Sequence, residues 1–129
     1  MKSALTIALF CAGGGLARYY LSGWVYGLLG RAFPFGTLAV NLIGAYCIGL
    51  IMEISLRSTL IPATLRLGLT VGFMGGLTTF STFSYETFKL LEDGQYLVAM
   101  VNALASVVMC LLCTWLGVIT ARALIQGGF

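Results

Sequence analysis

Apolar residues dominate four long stretches of the chain, about Ala4–Leu29, Phe35–Leu56, Ile61–Leu91 and Tyr96–Leu124, with connectors of only a few residues between them. A helix needs roughly 20 apolar residues to cross hydrocarbon. The pattern therefore predicts an all-α membrane protein with four spanning helices, a single integral-membrane domain over residues 1–129 with no room for an extramembrane domain. The third run breaks its own pattern at Gly75-Gly76-Leu77-Thr78-Thr79-Phe80-Ser81-Thr82-Phe83-Ser84, where two glycines, five hydroxyl side chains and two phenylalanines fall together. Main-chain groups released from helical hydrogen bonds are costly in lipid. Such a stretch survives where it lines a cavity, binds an ion or packs inside protein, and a break in helix 3 is expected there.

Composition agrees with the pattern. Sixty per cent of the residues are apolar, nine per cent are charged and none is histidine; the mean hydropathy is +1.02. A soluble domain needs far more surface charge. Lys2 followed by Ala4–Ala12 resembles a signal peptide, but the apolar run continues past Gly13–Gly15 to Leu29, which favours a retained span. Bulky Phe10 disfavours lipoprotein processing before Cys11. Cys11, Cys47, Cys110 and Cys113 all fall inside the spans, and Cys110-x-x-Cys113 has neither a second pair nor a histidine beside it. Thiolates are disfavoured in apolar surroundings, so these cysteines read as small packing residues.

Charge bears on orientation. Lys2, Arg57, Arg66 and Arg122 fall on one side of a four-span layout, against Arg31 and Lys89 on the other, with Arg18 some way into helix 1. That is a weak bias under the rule that Lys and Arg in short loops set topology. It is compatible with insertion in both orientations and an antiparallel homodimer.

Several polar side chains lie within the apolar runs. Arg18 either snorkels beside the aromatic belt of Tyr19, Tyr20 and Trp24 or lines an electropositive vestibule. Thr37, Asn41, Ala45 and Gly49 recur at four-residue spacing along helix 2; Asn41 is either glue between helices or a donor of N–H groups to an ion. Gly68, Gly72 and Gly76 form a smooth strip for close approach to a neighbouring helix or a second subunit. Phe80 and Phe83 project together, Ser81 and Ser84 share another side with Thr78 and Thr82 nearby, and Glu86 follows just beyond. Asn102, Ser106, Cys110 and Thr114 make a polar stripe on helix 4, an ion track or a packing seam.

Without histidine, a hydrolase-type triad, a phosphate loop or clustered acids, catalysis is not expected. Hydroxyls and amides supply donors, and donors or positive charge suit an anion pathway. A phenyl ring is electropositive at its rim, so edge-on Phe80 and Phe83 could touch a desolvated anion; ordinary packing is the alternative. Carbonyls exposed at the break would instead attract a cation, and a structural cation joining the breaks of two subunits would reconcile the two tendencies.

Two segments carry a resemblance. Gly36-Thr37-Leu38-Ala39-Val40-Asn41-Leu42-Ile43-Gly44 and Gly72-Phe73-Met74-Gly75-Gly76-Leu77-Thr78-Thr79-Phe80-Ser81-Thr82-Phe83-Ser84, with Glu86, closely resemble the Fluc (CrcB) fluoride channels, and the likeness extends over essentially the whole chain. The resemblance implies an antiparallel dual-topology homodimer with two fluoride pores. It also implies a central sodium ion held by the main-chain carbonyls of Gly75 and Thr78 from both subunits. Asn41 would be the pore-lining amide, Phe80 and Phe83 the fluoride-contacting rings, and Ser81 and Thr82 hydroxyls on the path. The helix 4 track would map to Asn102, Ser106, Cys110 and Thr114, with Arg18, Thr37, Ser84 and Glu86 in vestibule or structural roles. The implied activity is passive export of fluoride across a bacterial inner membrane, giving fluoride resistance. Its partners would be a second copy of the chain, fluoride and membrane lipid, with no nucleic acid and no organic cofactor. A small multidrug-type exporter, also short and dual-topology, is the rival, but proton-coupled export of cations needs an embedded carboxylate where helix 1 has Arg18.

Overall fold

The computed structural model describes residues 1–127. It is all-helical, with no strand among the described residues. The elements are α1 (Lys2–Leu29), α2 (Phe35–Arg57), α3 (Ala63–Leu67), a π-helix π1 (Gly68–Met74), α4 (Gly75–Leu77), α5 (Phe80–Glu92) and α6 (Tyr96–Gln126). Three of them, α1, α2 and α6, are long and apolar enough to cross a membrane.

The expected third span is divided among α3, π1, α4 and α5. Helix persists through Leu77; Thr78 (φ −81°, ψ 155°) and Thr79 (φ −152°, ψ 110°) are extended, and helix resumes at Phe80. Gly75 is itself helical (φ −62°, ψ −35°), so within the Gly75–Ser84 stretch that the sequence singles out the extended backbone is Thr78 and Thr79. The widened π turn over Gly68–Met74 has no counterpart in the hydropathy pattern.

Pro34 and Pro62 precede α2 and α3, where a missing N–H costs nothing. Between α5 and α6 the chain turns tightly through Gly94 at φ +72°, and the Gln95 N–H donates to the Leu90 carbonyl.

Packing relies on glycine as much as on bulk. α2 packs most extensively on α6: a Cβ on Gly49 would strike the Thr114 backbone, and one on Gly117 the Tyr46 backbone. The Gly68, Gly72 and Gly76 strip lies against α1, where added Cβ atoms would meet Phe10, Ile7 and the Cys11 and Gly15 backbone. Within this chain the strip therefore serves α1. Val40, Met74 and Leu77 form the buried core, flanked by Ala17, Leu21, Cys47, Ile48 and Phe73. Large apolar side chains such as Leu9, Leu16, Trp24, Leu104 and Leu112 remain outside, as lipid-facing positions require.

Candidate functional site

The site forms where α2 meets the extended pair Thr78-Thr79. In a continuous helix the Thr79 N–H would bond to the Gly75 carbonyl. Here it donates to Asn41 Oδ1 at 2.8 Å, and Asn41 Nδ2 donates back to the Thr79 carbonyl at 3.1 Å. One side-chain amide thus replaces two main-chain partners at a buried residue; Thr79 is 6% exposed. One Nδ2 hydrogen remains for another acceptor. Gly44, one turn beyond Asn41, brings the backbone of α2 so close that a Cβ would overlap the Thr78 methyl.

Thr79 also starts α5. Its Oγ1 accepts from the Thr82 N–H at 3.1 Å, the N-cap bond that the sequence Thr79-x-x-Thr82 supplies, and donates to Thr82 Oγ1 at 2.9 Å. Ser81 Oγ lies 3.3 Å from the same oxygen. Thr79 was legible only as part of the unusual stretch, although a hydroxyl opening a resumed helix is a capping signal.

Beside this junction lies a cleft of about 560 Å³. Asn41, Phe80, Phe83, Ser106, Cys110 and Thr114 line it, together with Gly75 and Thr78. The Phe80 and Phe83 rings are 5.3 Å apart between centroids and inclined at 47°. Phe80 is 77% exposed in the single chain. The Thr114 hydroxyl donates to the Cys110 carbonyl at 3.0 Å, leaving its oxygen as an acceptor towards the cleft.

Other residues singled out in the sequence lie elsewhere. Asn102 is buried on the far side of the stripe, its Nδ2 donating to Thr87 Oγ1 at 2.9 Å. Ser84 is exposed and donates to the Phe80 carbonyl. Neither lines the cleft, nor do Ser81 and Thr82. Thr82 joins Arg18, Thr37, Thr79 and Glu86 around a separate inner hollow of about 350 Å³. Arg18 Nη1 points across it to the Thr78 carbonyl at 3.3 Å.

Two further polar groups carry no signal in the hydropathy pattern. Tyr26 donates to Glu86 Oε1 at 2.8 Å. Glu53, 9% exposed, accepts at Oε1 from Arg122 Nε at 2.7 Å and from Arg57 Nε, clasping the ends of α2 and α6.

An all-helical chain with lipid-length apolar helices and a polar, aromatic-lined cleft beside unwound backbone is a membrane protein built to handle a small solute. Residues 5–118 match the family described as "CrcB-like protein, Camphor Resistance (CrcB)". A relative in Trichlorobacter lovleyi named "Fluoride-specific ion channel FluC" is 80% identical over 124 residues, 96% of this chain and 99% of that protein. Relatives of the same name in Geobacter metallireducens (68% identical, covering 96% of this chain and 100% of theirs) and Syntrophotalea carbinolica (56%, covering 92% and 96%) are also similar along nearly their whole lengths. The chain belongs to the CrcB family.

Proposed function

We propose that this protein is a fluoride-specific channel that lets fluoride leave the cytoplasm passively across a bacterial inner membrane and so confers fluoride resistance. One observation carries the reading: in a chain 80% identical to a protein named as a fluoride-specific channel, Asn41, Phe80 and Phe83 share one cleft with Ser106, Cys110 and Thr114. Fluoride is small and strongly hydrated, and it must exchange water for other donors to enter a narrow path. The free Nδ2 hydrogen of Asn41, the Ser106 hydroxyl and the electropositive rims of Phe80 and Phe83 are such partners. Chloride is larger and gains less from a few close donors.

The exposed Phe80 and the open space around Gly75 fit a wall completed by a second, antiparallel copy of the chain. In that arrangement the segment from Ala63 to Glu92 is a third, interrupted span. A sodium ion at its centre suits the donor set. The Gly75 carbonyl has lost the Thr79 N–H to Asn41, and the Thr78 carbonyl, though it accepts from Arg18, keeps a second lone pair. Both are hard oxygen donors of the kind such cations take. The sodium, when bound, would fix two breaks to each other and offset the freed carbonyl dipoles; Asn41 and Gly44 hold Thr78 and Thr79 in place.

Expression in a bacterium lacking its own fluoride export tests the reading. Growth in millimolar fluoride should be restored by this chain and not by its Asn41→Leu variant. Failure to restore growth by chain that is demonstrably inserted in the membrane would contradict it.

A further inference from the structure

Tyr26 has no part in the cleft, yet its phenol oxygen joins three helices. Its proton goes to Glu86 Oε1 on α5 at 2.8 Å. Thr37 Oγ1 on α2 lies 3.2 Å away and, with that proton committed, is the donor in the second bond. The Arg31 guanidinium covers one face of the ring at 4.9 Å from its centroid. The ring rests on bare backbone at Gly36, where a Cβ would overlap it. Glu86 Oε2 is buried and has no hydrogen-bond partner among the described residues.

The position of this pair gives the network a role. Tyr26 and Glu86 line the inner hollow that holds Arg18, and they also line an outer hollow of about 210 Å³ bordered by Arg31 and Lys89. Thr79 in turn borders both the inner hollow and the 560 Å³ cleft. Tyr26 and Glu86 are thus the wall that the first two hollows share, and Thr79 is shared by the inner hollow and the cleft.

Charge falls unevenly between the two hollows on either side of this wall. In the outer hollow Arg31 and Lys89 are offset by Glu86 and Asp93, and Lys89 is further paired with Glu92 at 2.7 Å. Among the described residues that line the inner hollow, Arg18 is the one cation and Glu86 the one acid. An anion is drawn to Arg18, but it meets a carboxylate and a seated aromatic ring at the wall.

We propose that Tyr26 is a positioning residue that closes a side entrance. Its bond to Glu86 keeps ring and carboxylate across the wall, and breaking that bond joins the outer hollow to the Arg18 hollow. The proposal rests on the fluoride reading for the identity of the travelling ion, but not for the existence of the wall.

A cysteine at Ser22, which lines the inner hollow, reports the wall directly. The purified chain carrying Ser22→Cys is reconstituted in fluoride-free liposomes and labelled with a small neutral thiol reagent. Labelling is counted by intact mass, with the Ser22 chain giving the background from the four native cysteines. Tyr26→Phe keeps the ring and removes the hydroxyl. It should speed labelling roughly tenfold, the factor for losing one hydrogen bond to a charged acceptor. Tyr26→Leu serves if the Phe chain does not purify as a single species.

Unchanged labelling in these variants overturns the proposal, as does labelling of Ser22→Cys alone at the rate of a fully exposed thiol. The labelling is done without fluoride, so an unchanged rate would defeat only the wall, while absence of flux in a separate fluoride-efflux measurement would defeat only the channel reading.

Discussion

Asn41 grips Thr79 by both ends of its amide, Oδ1 accepting from the Thr79 N–H at 2.8 Å and Nδ2 donating to the Thr79 carbonyl at 3.1 Å. A helix residue thus supplies the main-chain partners that an interrupted segment has lost. Asparagine suits the task because it carries a donor and an acceptor on one planar group. Asn41→Leu keeps the bulk and leaves a buried N–H and C=O unpaired, at about 1–3 kcal/mol for each group. The variant should lose thermal stability and transport together. Asn41→Asp keeps the acceptor for the Thr79 N–H but offers the carbonyl no donor, so it should fall between. A Leu variant as stable as the parent in a thermal-shift assay would show that the amide is not what holds the junction.

Glycines 75 and 76 are neighbours with opposite demands. A Cβ on Gly76 would come within 2.5 Å of the Cys11 carbonyl oxygen, whereas one on Gly75 meets no heavy atom within 4 Å. Gly76→Ala should therefore push α1 away from α4 and destabilise each subunit by roughly 1–3 kcal/mol, the usual cost of overpacking. In the antiparallel dimer proposed above, Gly75→Ala should leave the chain's helical content and melting intact while weakening association of two copies. Size-exclusion chromatography and thermal melts separate these outcomes. Association unaffected by Gly75→Ala would contradict a dimer joined at the Gly75 face.

The paired rings give a prediction about chemistry rather than packing. Phe80→Ile and Phe83→Ile keep apolar bulk at the cleft but remove the electropositive rim. Each should cut fluoride flux by tenfold or more, on the basis that an anion–edge contact of about 1.4 kcal/mol changes a rate by that factor, without shifting the melting midpoint by more than a few degrees. Flux equal to the parent in either variant would mean that its ring edge makes no contact with the ion.

The clasp at the ends of α2 and α6 predicts a loss of stability without loss of selectivity. Glu53→Gln keeps shape and one acceptor but removes the charge that two arginines share. The melting midpoint should fall by a few degrees, and Glu53→Leu, which leaves both guanidinium groups unpaired, should lower it further. The fluoride-to-chloride ratio should stay unchanged in both. An unaltered midpoint in Glu53→Leu would show the clasp to be a solvated surface pairing.

Much of this architecture is readable from hydropathy because helix length is set by bilayer thickness. The unusual stretch was also readable, since glycine and hydroxyl residues do not sit comfortably in a lipid-facing helix. What lay beyond reach depends on tertiary contact. Nothing local says that Asn41 meets Thr79, 38 residues away, or that Glu53, an acid within an apolar run, finds Arg122, 69 residues on. The polar stripe of α6 was read as one face, but a four-residue step overshoots a full turn by about 40° at 3.6 residues per turn. Three such steps rotate Asn102 about 120° away from Thr114. It turns to Thr87 on α5, while Ser106, Cys110 and Thr114 line the cleft.

Ion-selective efflux tests the central claim most directly. Liposomes loaded with equal potassium fluoride and potassium chloride, with sodium present on both sides, are reconstituted with the purified chain at a few copies per vesicle. Efflux is started with a potassium ionophore and followed with fluoride and chloride electrodes in the same cell. Fast release of fluoride with chloride retained is the expected result. Release of both anions, or of neither from chain that elutes as a single folded species, would contradict it.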